Sequence, residues 1–143
     1  MAYFPMFMDL TGKNIIVVGA GIIAGRRVRT LLDFGCKITV IAPKISEELQ
    51  QSVREGRIEL IVDVYRKQYL AVADIVVAAT DSRSVNNQIA EDAKEYTPFI
   101  NIADNKTQST FFFPAIIQTE QIIGGMISLN GNNHSLIKKT AQA

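Results

Sequence analysis

The residues with the clearest chemical use form the turn Gly19-Ala20-Gly21-Ile22-Ile23-Ala24. The spacing is Gly-x-Gly-x-x-Ala. It is entered by the apolar run Ile15-Ile16-Val17-Val18 and left by a helical pattern of Ile23, Val28, Leu31 and Leu32. A strand, a tight turn and a helix start in that order present free backbone N–H groups where the helix dipole favours negative charge. The chemistry implied is the cradling of a dinucleotide's pyrophosphate. Gly19 then permits the turn, Gly21 lets phosphate approach the backbone, and Ala24 lets the helix pack closely on the strand. The alternative is a Gly-rich turn that serves packing alone.

Other chemistry-bearing residues fall at the ends of expected strands. Ala42-Pro43-Lys44 follows the second strand, Thr80-Asp81-Ser82 the fourth and Ala103-Asp104-Asn105 the fifth. Ligands of open α/β sheets bind beyond the carboxyl ends of the strands, so these segments and the glycine turn are expected to share one crevice. Dinucleotide folds usually place an Asp or Glu about twenty residues after the glycines, to hold the ribose. Ile41-Ala42-Pro43-Lys44 has no carboxylate. Backbone groups would then hold the ribose, and Lys44 tolerates a 2′-phosphate, which leaves NAD and NADP both open.

Asp104, partly desolvated in that crevice, is the candidate proton acceptor; an Asp-Asn pair that only shapes a turn is the alternative. Asp81 is expected to cap the helix that follows. Arg26, Arg27 and Arg29 are suited to a substrate with several carboxylates, or form a solvated helix face. His134 is the sole histidine and has no Cys partner nearby, so no dedicated metal cage is expected.

The elements that must position these groups can be read in order. Strands are expected at 14–18, 37–41, 57–64, 74–79 and 99–103, the fourth with the continuous apolar run of a strand buried on both faces. Helices are expected at about 22–34, from Ser46 as N-cap to about 54, at 69–73, and from about 84 to 96. Gly35, Gly56 and Pro98 punctuate them. This alternation predicts an α/β, Rossmann-like doubly wound, mostly parallel sheet. A β-hairpin extension follows over about 106–134, with strands at 110–117 and 121–129 joined by Gln118-Thr119-Glu120. A turn at 130–133 and the start of a helix at 135–143 close the chain. Residues 1–10 are expected to lie against the body of the fold, and Phe111, Phe112 and Phe113 in the core.

Composition bounds the rest. A chain of 143 residues, 48% hydrophobic and 20% charged, is one domain with a real core. A formal net charge of +1 gives no nucleic-acid footprint. Residues 1–10 lack a basic n-region and are interrupted by Pro5 and Asp9, so no signal peptide is expected, and no apolar run is long enough to span a membrane. The lone Cys36 fits a reducing, cytoplasmic setting and reads as a small packed hydrophobe.

The sequence resembles the precorrin-2 dehydrogenase module of siroheme synthases. The stretches that carry the likeness are Tyr3-Phe4-Pro5-Met6-Phe7, Val17 to Arg27, Thr39 to Pro43, Ala79-Thr80-Asp81 with Val85-Asn86, Asn101-Ile102-Ala103-Asp104 and Phe113-Pro114-Ala115-Ile116. The resemblance implies NAD-dependent oxidation of the tetrapyrrole precorrin-2 to sirohydrochlorin, with iron insertion by some members. It implies Asp104 as the catalytic base. It implies Ile22, Ile23, Pro43 and Lys44 as NAD contacts, with NAD used without the ribose carboxylate. Gly19, Gly21 and Ala24 of the turn and Thr80 complete the expected cofactor set, and Arg26, Arg27 and Asn101 are the candidate substrate contacts.

Two features depart from the family pattern. The segment 128–135 lacks the usual Gly-Lys-Ser-Pro-like run, although Ser128 falls where some members carry a regulatory phosphoserine. The family continues into a helical region that forms a dimer and completes the tetrapyrrole cleft, so a homodimer or a partner chain is expected to supply that part. Two other readings stand beside the dehydrogenase: a non-catalytic NAD- or tetrapyrrole-binding module, and a Rossmann oxidoreductase with a smaller substrate.

Overall fold

A computed structural model of the protein describes residues 2–129. The expected turn at 130–133, His134 and the expected helix at 135–143 lie outside the described residues. The chain forms two compact units, Asp9–Phe111 and the pair of segments Met1–Met8 with Phe112–Ala143.

The larger unit is a parallel sheet of five strands, β1 (Asn14–Val18), β2 (Lys37–Ile41), β3 (Glu59–Ile61), β4 (Ile75–Ala78) and β5 (Ile100–Ile102), in the order β3-β2-β1-β4-β5. Three α-helices connect them: α1 (Ile22–Leu31), α2 (Glu47–Arg54) and α3 (Arg83–Ala93). The chain winds outward from β1 through β2 to β3, then returns to lay β4 on the other side of β1. That reversal between β1 and β4 is the topological switch point of a Rossmann-like sheet.

Apart from Asn14 at its start, the central strands β1 and β4 are apolar because both faces are covered. Ile15 to Val18 and Ile75 to Ala78 are all buried. Ile16, Val18, Ile41, Val76, Ala78, Ile100 and Ile102 share one core cluster with Ile89, Ala90 and Ala93 of α3. The pleat turns Ile15, Val17, Ile38, Val40 and Val77 to the opposite face, where they are equally buried. α1 packs on β1 and buries Ala24, Gly25, Val28 and Leu31. Burying a Leu, Ile or Val side chain is worth roughly 1.5–3 kcal/mol, so this two-sided core fixes the register of the sheet.

Helix ends follow local side-chain chemistry. Ser46 caps α2 as expected, its Oγ accepting from Leu49 N at 3.4 Å, with Glu47 and Glu48 in the favourable first turn. The cap of α3 is Ser82, whose Oγ accepts from Val85 N at 3.4 Å, and not Asp81. Both are good capping types; the geometry favours the one three residues before the free N–H. α1 stops at Leu31, three residues short of expectation, as the chain turns toward Gly35 (φ +71°).

The largest departure lies at the sheet edge. The alternation at 57–64 predicts a long strand, yet β3 has three residues, and Val62 and Val64 are 68% and 55% exposed. An edge strand has one partner, and β2 pairs with it over three positions only. Periodicity alone cannot reveal how far a neighbour extends. The helix expected at 69–73 is a 3₁₀ turn over Lys67–Leu70.

In the other unit, β6 (Ala115–Gln118) and β7 (Ile123–Met126) pair antiparallel as expected, although both are shorter than predicted. The turn is centred on Glu120-Gln121, one residue later than expected. The Thr119 hydroxyl accepts from Gln121 N and Ile122 N at 3.2 and 3.1 Å, and Thr119 N donates to the Ile122 carbonyl. Residues 2–8 belong to this unit, where Tyr3 meets Phe112 edge-on with ring centroids 4.9 Å apart. Phe112 and Phe113 of this unit, like Phe111 at the end of the larger one, are half-buried and, contrary to expectation, not core.

Candidate functional site

The carboxyl ends of β1, β2, β4 and β5 lie along one edge of the larger unit. Strands sit about 4.8 Å apart, so the end of β1 is roughly 10 Å from the end of β5, two strands away. Backbone bonds carry the ladder past the strands. Gly19 N donates to Ile41 O at 2.9 Å, Ala79 N to Val18 O at 2.8 Å and Ala103 N to Ala78 O at 2.9 Å. The four predicted segments therefore start from fixed points.

The glycine turn is built as its sequence suggests. Gly19 takes φ +114°, and a Cβ there would collide with the Ala79 carbonyl, so only glycine fits against the loop after β4. At Gly21 a Cβ would meet nothing within 4 Å. Open space at this residue suits close approach of a phosphate. Gly21 is the N-cap of α1, which has no side-chain cap and no acidic residue in its first turn. Ala24 is fully buried, as close helix–strand packing requires. Ile22 and Ile23 are 77% and 42% exposed. Ile23 thus lies outside the buried stripe of α1 and leaves an apolar surface at the helix start. Pro43 and Lys44 are exposed beyond the end of β2. These residues fit a pyrophosphate with its ribose held by backbone groups.

Asn86, to which sequence reasoning gave no role, fixes the opposite wall. It is 1% exposed. Its Oδ1 accepts from Thr80 N at 3.2 Å and from Thr80 Oγ1 at 2.6 Å, and its Nδ2 donates to Thr80 O at 3.2 Å. One side chain thus satisfies three polar groups of the turn after β4, the turn that packs on Gly19. The available signal was an Asn eight residues after the end of β4, inside a helix where Asn is a poor former.

Asp104 is 41% exposed on its side chain. Its Oδ2 lies 3.2 Å from Arg83 Nη1, which also donates to the Asp104 carbonyl at 3.0 Å. Arg83, in the first turn of α3, thereby ties the ends of β4 and β5 together through the helix start. The Asp-Asn pair divides its labour. Asn105 forms the turn, its Oδ1 accepting from Thr107 N and Oγ1, while the Asp104 carboxylate lies beyond the strand against Arg83. Asn101, on the face opposite the α3 cluster, is 4% exposed; its Nδ2 donates to Phe111 O at 3.1 Å and its Oδ1 has no partner among the described residues.

The arginines of α1 diverge. Arg26 is exposed, Arg27 is half-buried, and Arg29 pairs with Glu48 of α2 at 2.7 Å. Burial pushes the Cys36 thiol up from its ordinary value and its Sγ donates to Leu31 O, so it packs as a hydrophobe. At the end of β3, Asp63 accepts from Tyr69 Oη at 2.5 Å, Arg66 Nε at 2.9 Å and Val64 N at 2.7 Å, and the hydroxyl and guanidinium hold its carboxyl below the usual range. Among the described residues no group of three or more His, Cys, Asp or Glu is placed to hold a metal, and no helix is long and apolar enough to cross a membrane.

Comparison with known proteins agrees with the fold. The family model described as "Putative NAD(P)-binding" matches residues 6–115. The chain is 43% identical over 139 residues to the "Probable multifunctional siroheme biosynthesis protein HemA" of Ruminiclostridium josui, covering 97% of this chain and 27% of that protein. It is 36% identical over 140 residues to the siroheme synthase of Psychrobacter sp. (strain PRwf-1), covering 98% and 28%. The chain thus spans about a quarter of the length of these curated relatives. Among solved structures, "SirC, precorrin-2 dehydrogenase" superposes with a TM-score of 0.81 at 26% identity, covering 98% of this chain and 68% of that one. With the Gly19–Ala24 turn and the carboxylate-free end of β2 inside the matched region, the chain belongs to this NAD(P)-binding family.

Proposed function

We propose that this domain performs the NAD-dependent dehydrogenation of precorrin-2 to sirohydrochlorin in siroheme biosynthesis. The observation that carries the reading is the likeness, over nearly the whole chain, to a solved precorrin-2 dehydrogenase. When bound, NAD supplies the hydride acceptor. The α1 N-terminus with Gly19, Gly21, Ile22, Ile23 and Ala24 holds the pyrophosphate, and Pro43, Lys44 and Thr80 line the rest of the cofactor's path.

Dehydrogenation removes a hydride and a proton from adjacent carbons, leaving a double bond. Asp104, at the strand end two places from the glycine turn, takes the proton. Arg83 orients that carboxylate through its two contacts. Exposure of Asp104 suits a base that must meet a large macrocycle and pass its proton to water. Arg26, Arg27 and Asn101 are assigned to the acidic side chains and edge of the substrate. A second copy or a partner chain completes the cleft.

The test is NADH formation from NAD and precorrin-2, with Asp104→Asn alongside. The expected result is turnover by the natural chain and a loss of about 10²–10⁴-fold in the variant, with NAD binding retained. NAD or tetrapyrrole binding without turnover, indifferent to Asp104, would point instead to a binding module.

A further inference from the structure

The turn that carries Asp104 is closed by its own backbone. Asn105 N donates to the Ile102 carbonyl at 3.1 Å, so residues 102–105 form a β-turn with Asp104 at its third position. The chain then makes a short 3₁₀ turn over Lys106–Gln108 and comes back along β5. Ser109 stands at that return, half-buried. Its Oγ accepts from Ile102 N at 2.9 Å, and lies 2.9 Å from the Asn105 carbonyl and 3.2 Å from the Ile102 carbonyl. A serine hydroxyl has one proton to give. The Ile102 carbonyl already accepts from Asn105 N, so the proton goes to the nearer Asn105 carbonyl. One hydroxyl thus grips the chain two residues before Asp104 and again directly after it. The next residue, Thr110, makes its side-chain contacts with Ile100 N and Pro98 O, at the start of β5 and away from Asp104.

We propose that Ser109 is a positioning residue for Asp104, its hydroxyl fixing the turn that aims the carboxylate at the substrate. The inference rests on the proposed role of Asp104 as the base and adds a residue that acts through it. A side chain that is 41% exposed is not held by packing, so its place depends on the backbone beneath it and on Arg83. Arg83 holds Asp104 itself, and Ser109 holds the chain on both sides of it. Misplacing a reacting group by about 1 Å can cost on the order of 10²-fold in rate.

NADH formation from NAD and precorrin-2 by the full chain tests it, with Ser109→Ala, Asp104→Asn and the double variant. Ser109→Ala is expected to lower kcat by about 10–100-fold, while KM for precorrin-2 and the affinity for NAD stay within about threefold of the natural chain. In the Asp104→Asn background the same change should alter the remaining rate by less than about twofold, because a residue that acts only through Asp104 then has nothing to position. Where the alanine variant does not fold, Ser109→Cys, a weaker donor and acceptor at the same place, is measured in the same two backgrounds with the same expectations. A kcat within about threefold of the natural chain, or an equal loss with and without the Asp104 carboxylate, would overturn the inference and leave Asp104 standing as the base. No turnover by the natural chain, or an Asp104→Asn variant as fast as it, would overturn the base reading, and the inference with it.

Discussion

Replacing Asn86 by Ala removes a side chain that is 1% exposed and makes three hydrogen bonds to one residue, Thr80. Each neutral bond contributes about 1 kcal/mol net. Thr80 is only half-buried, so water can reach part of what is exposed, which keeps the cost near the sum of the bonds instead of the full desolvation penalty. The truncation also leaves a small void beside α3. The expected destabilisation is about 3–4 kcal/mol, a large fraction of the roughly 5–15 kcal/mol typical of a domain. Urea unfolding followed by circular dichroism measures it, and calorimetry at a temperature where the variant remains folded measures NAD affinity. Both are expected to fall, because the loop that Asn86 fixes packs on Gly19.

Asn86→Asp separates the roles of the two amide atoms. It keeps an acceptor for Thr80 N and Oγ1 but sets an oxygen against the Thr80 carbonyl. The buried acid then favours its neutral form in the fold, so this variant should lose stability as pH rises through and above the ordinary carboxylate range. A loss below about 1 kcal/mol for Asn86→Ala, or a pH-independent Asn86→Asp, would refute the reasoning that these bonds hold the wall.

The two glycines of the turn should fail in different ways. Gly19→Ala, with its Cβ against the Ala79 carbonyl and φ +114°, should prevent folding or destabilise by more than about 4 kcal/mol in a denaturant titration. Gly21→Ala meets nothing and should fold, within about 1 kcal/mol, while its NAD affinity drops in calorimetry. Burial, then the bond to Asp92 at 2.7 Å, pushes the Tyr65 hydroxyl far above its usual value. Its stabilising contribution is complete below the ordinary tyrosine range and is lost as pH rises through and beyond it. Tyr65→Phe should therefore flatten the alkaline limb of thermal stability measured against pH.

Sequence determined the central strands and the nature of the crevice. β1 is led by Asn14 into its apolar run Ile15–Val18, β2 alternates Ile38, Val40 and Ile41 with Lys37 and Thr39, and β4 is apolar throughout, as a strand buried on both faces requires. The glycine turn was legible from its spacing between a strand and a helix, and Ser46 as a cap from neighbouring residues alone. Asp104 was visible as a carboxylate at a strand end.

Tertiary structure decided what depends on partners distant in sequence. β3 is short because its only neighbour pairs with it over three residues, and alternation at 57–64 carries no information about that neighbour. Ser82 displaces Asp81 as a cap by one step of geometry between two suitable residues. The surroundings of Asp104 come from Arg83, twenty-one residues earlier, and the rigidity of the Thr80 loop from Asn86 within the following helix. Residue types show which groups could do chemistry. Only the folding of β1, β4 and β5 side by side determines that Gly19, Thr80 and Asp104 share one edge, because strand order is set by burial across the sheet and not by position along the chain.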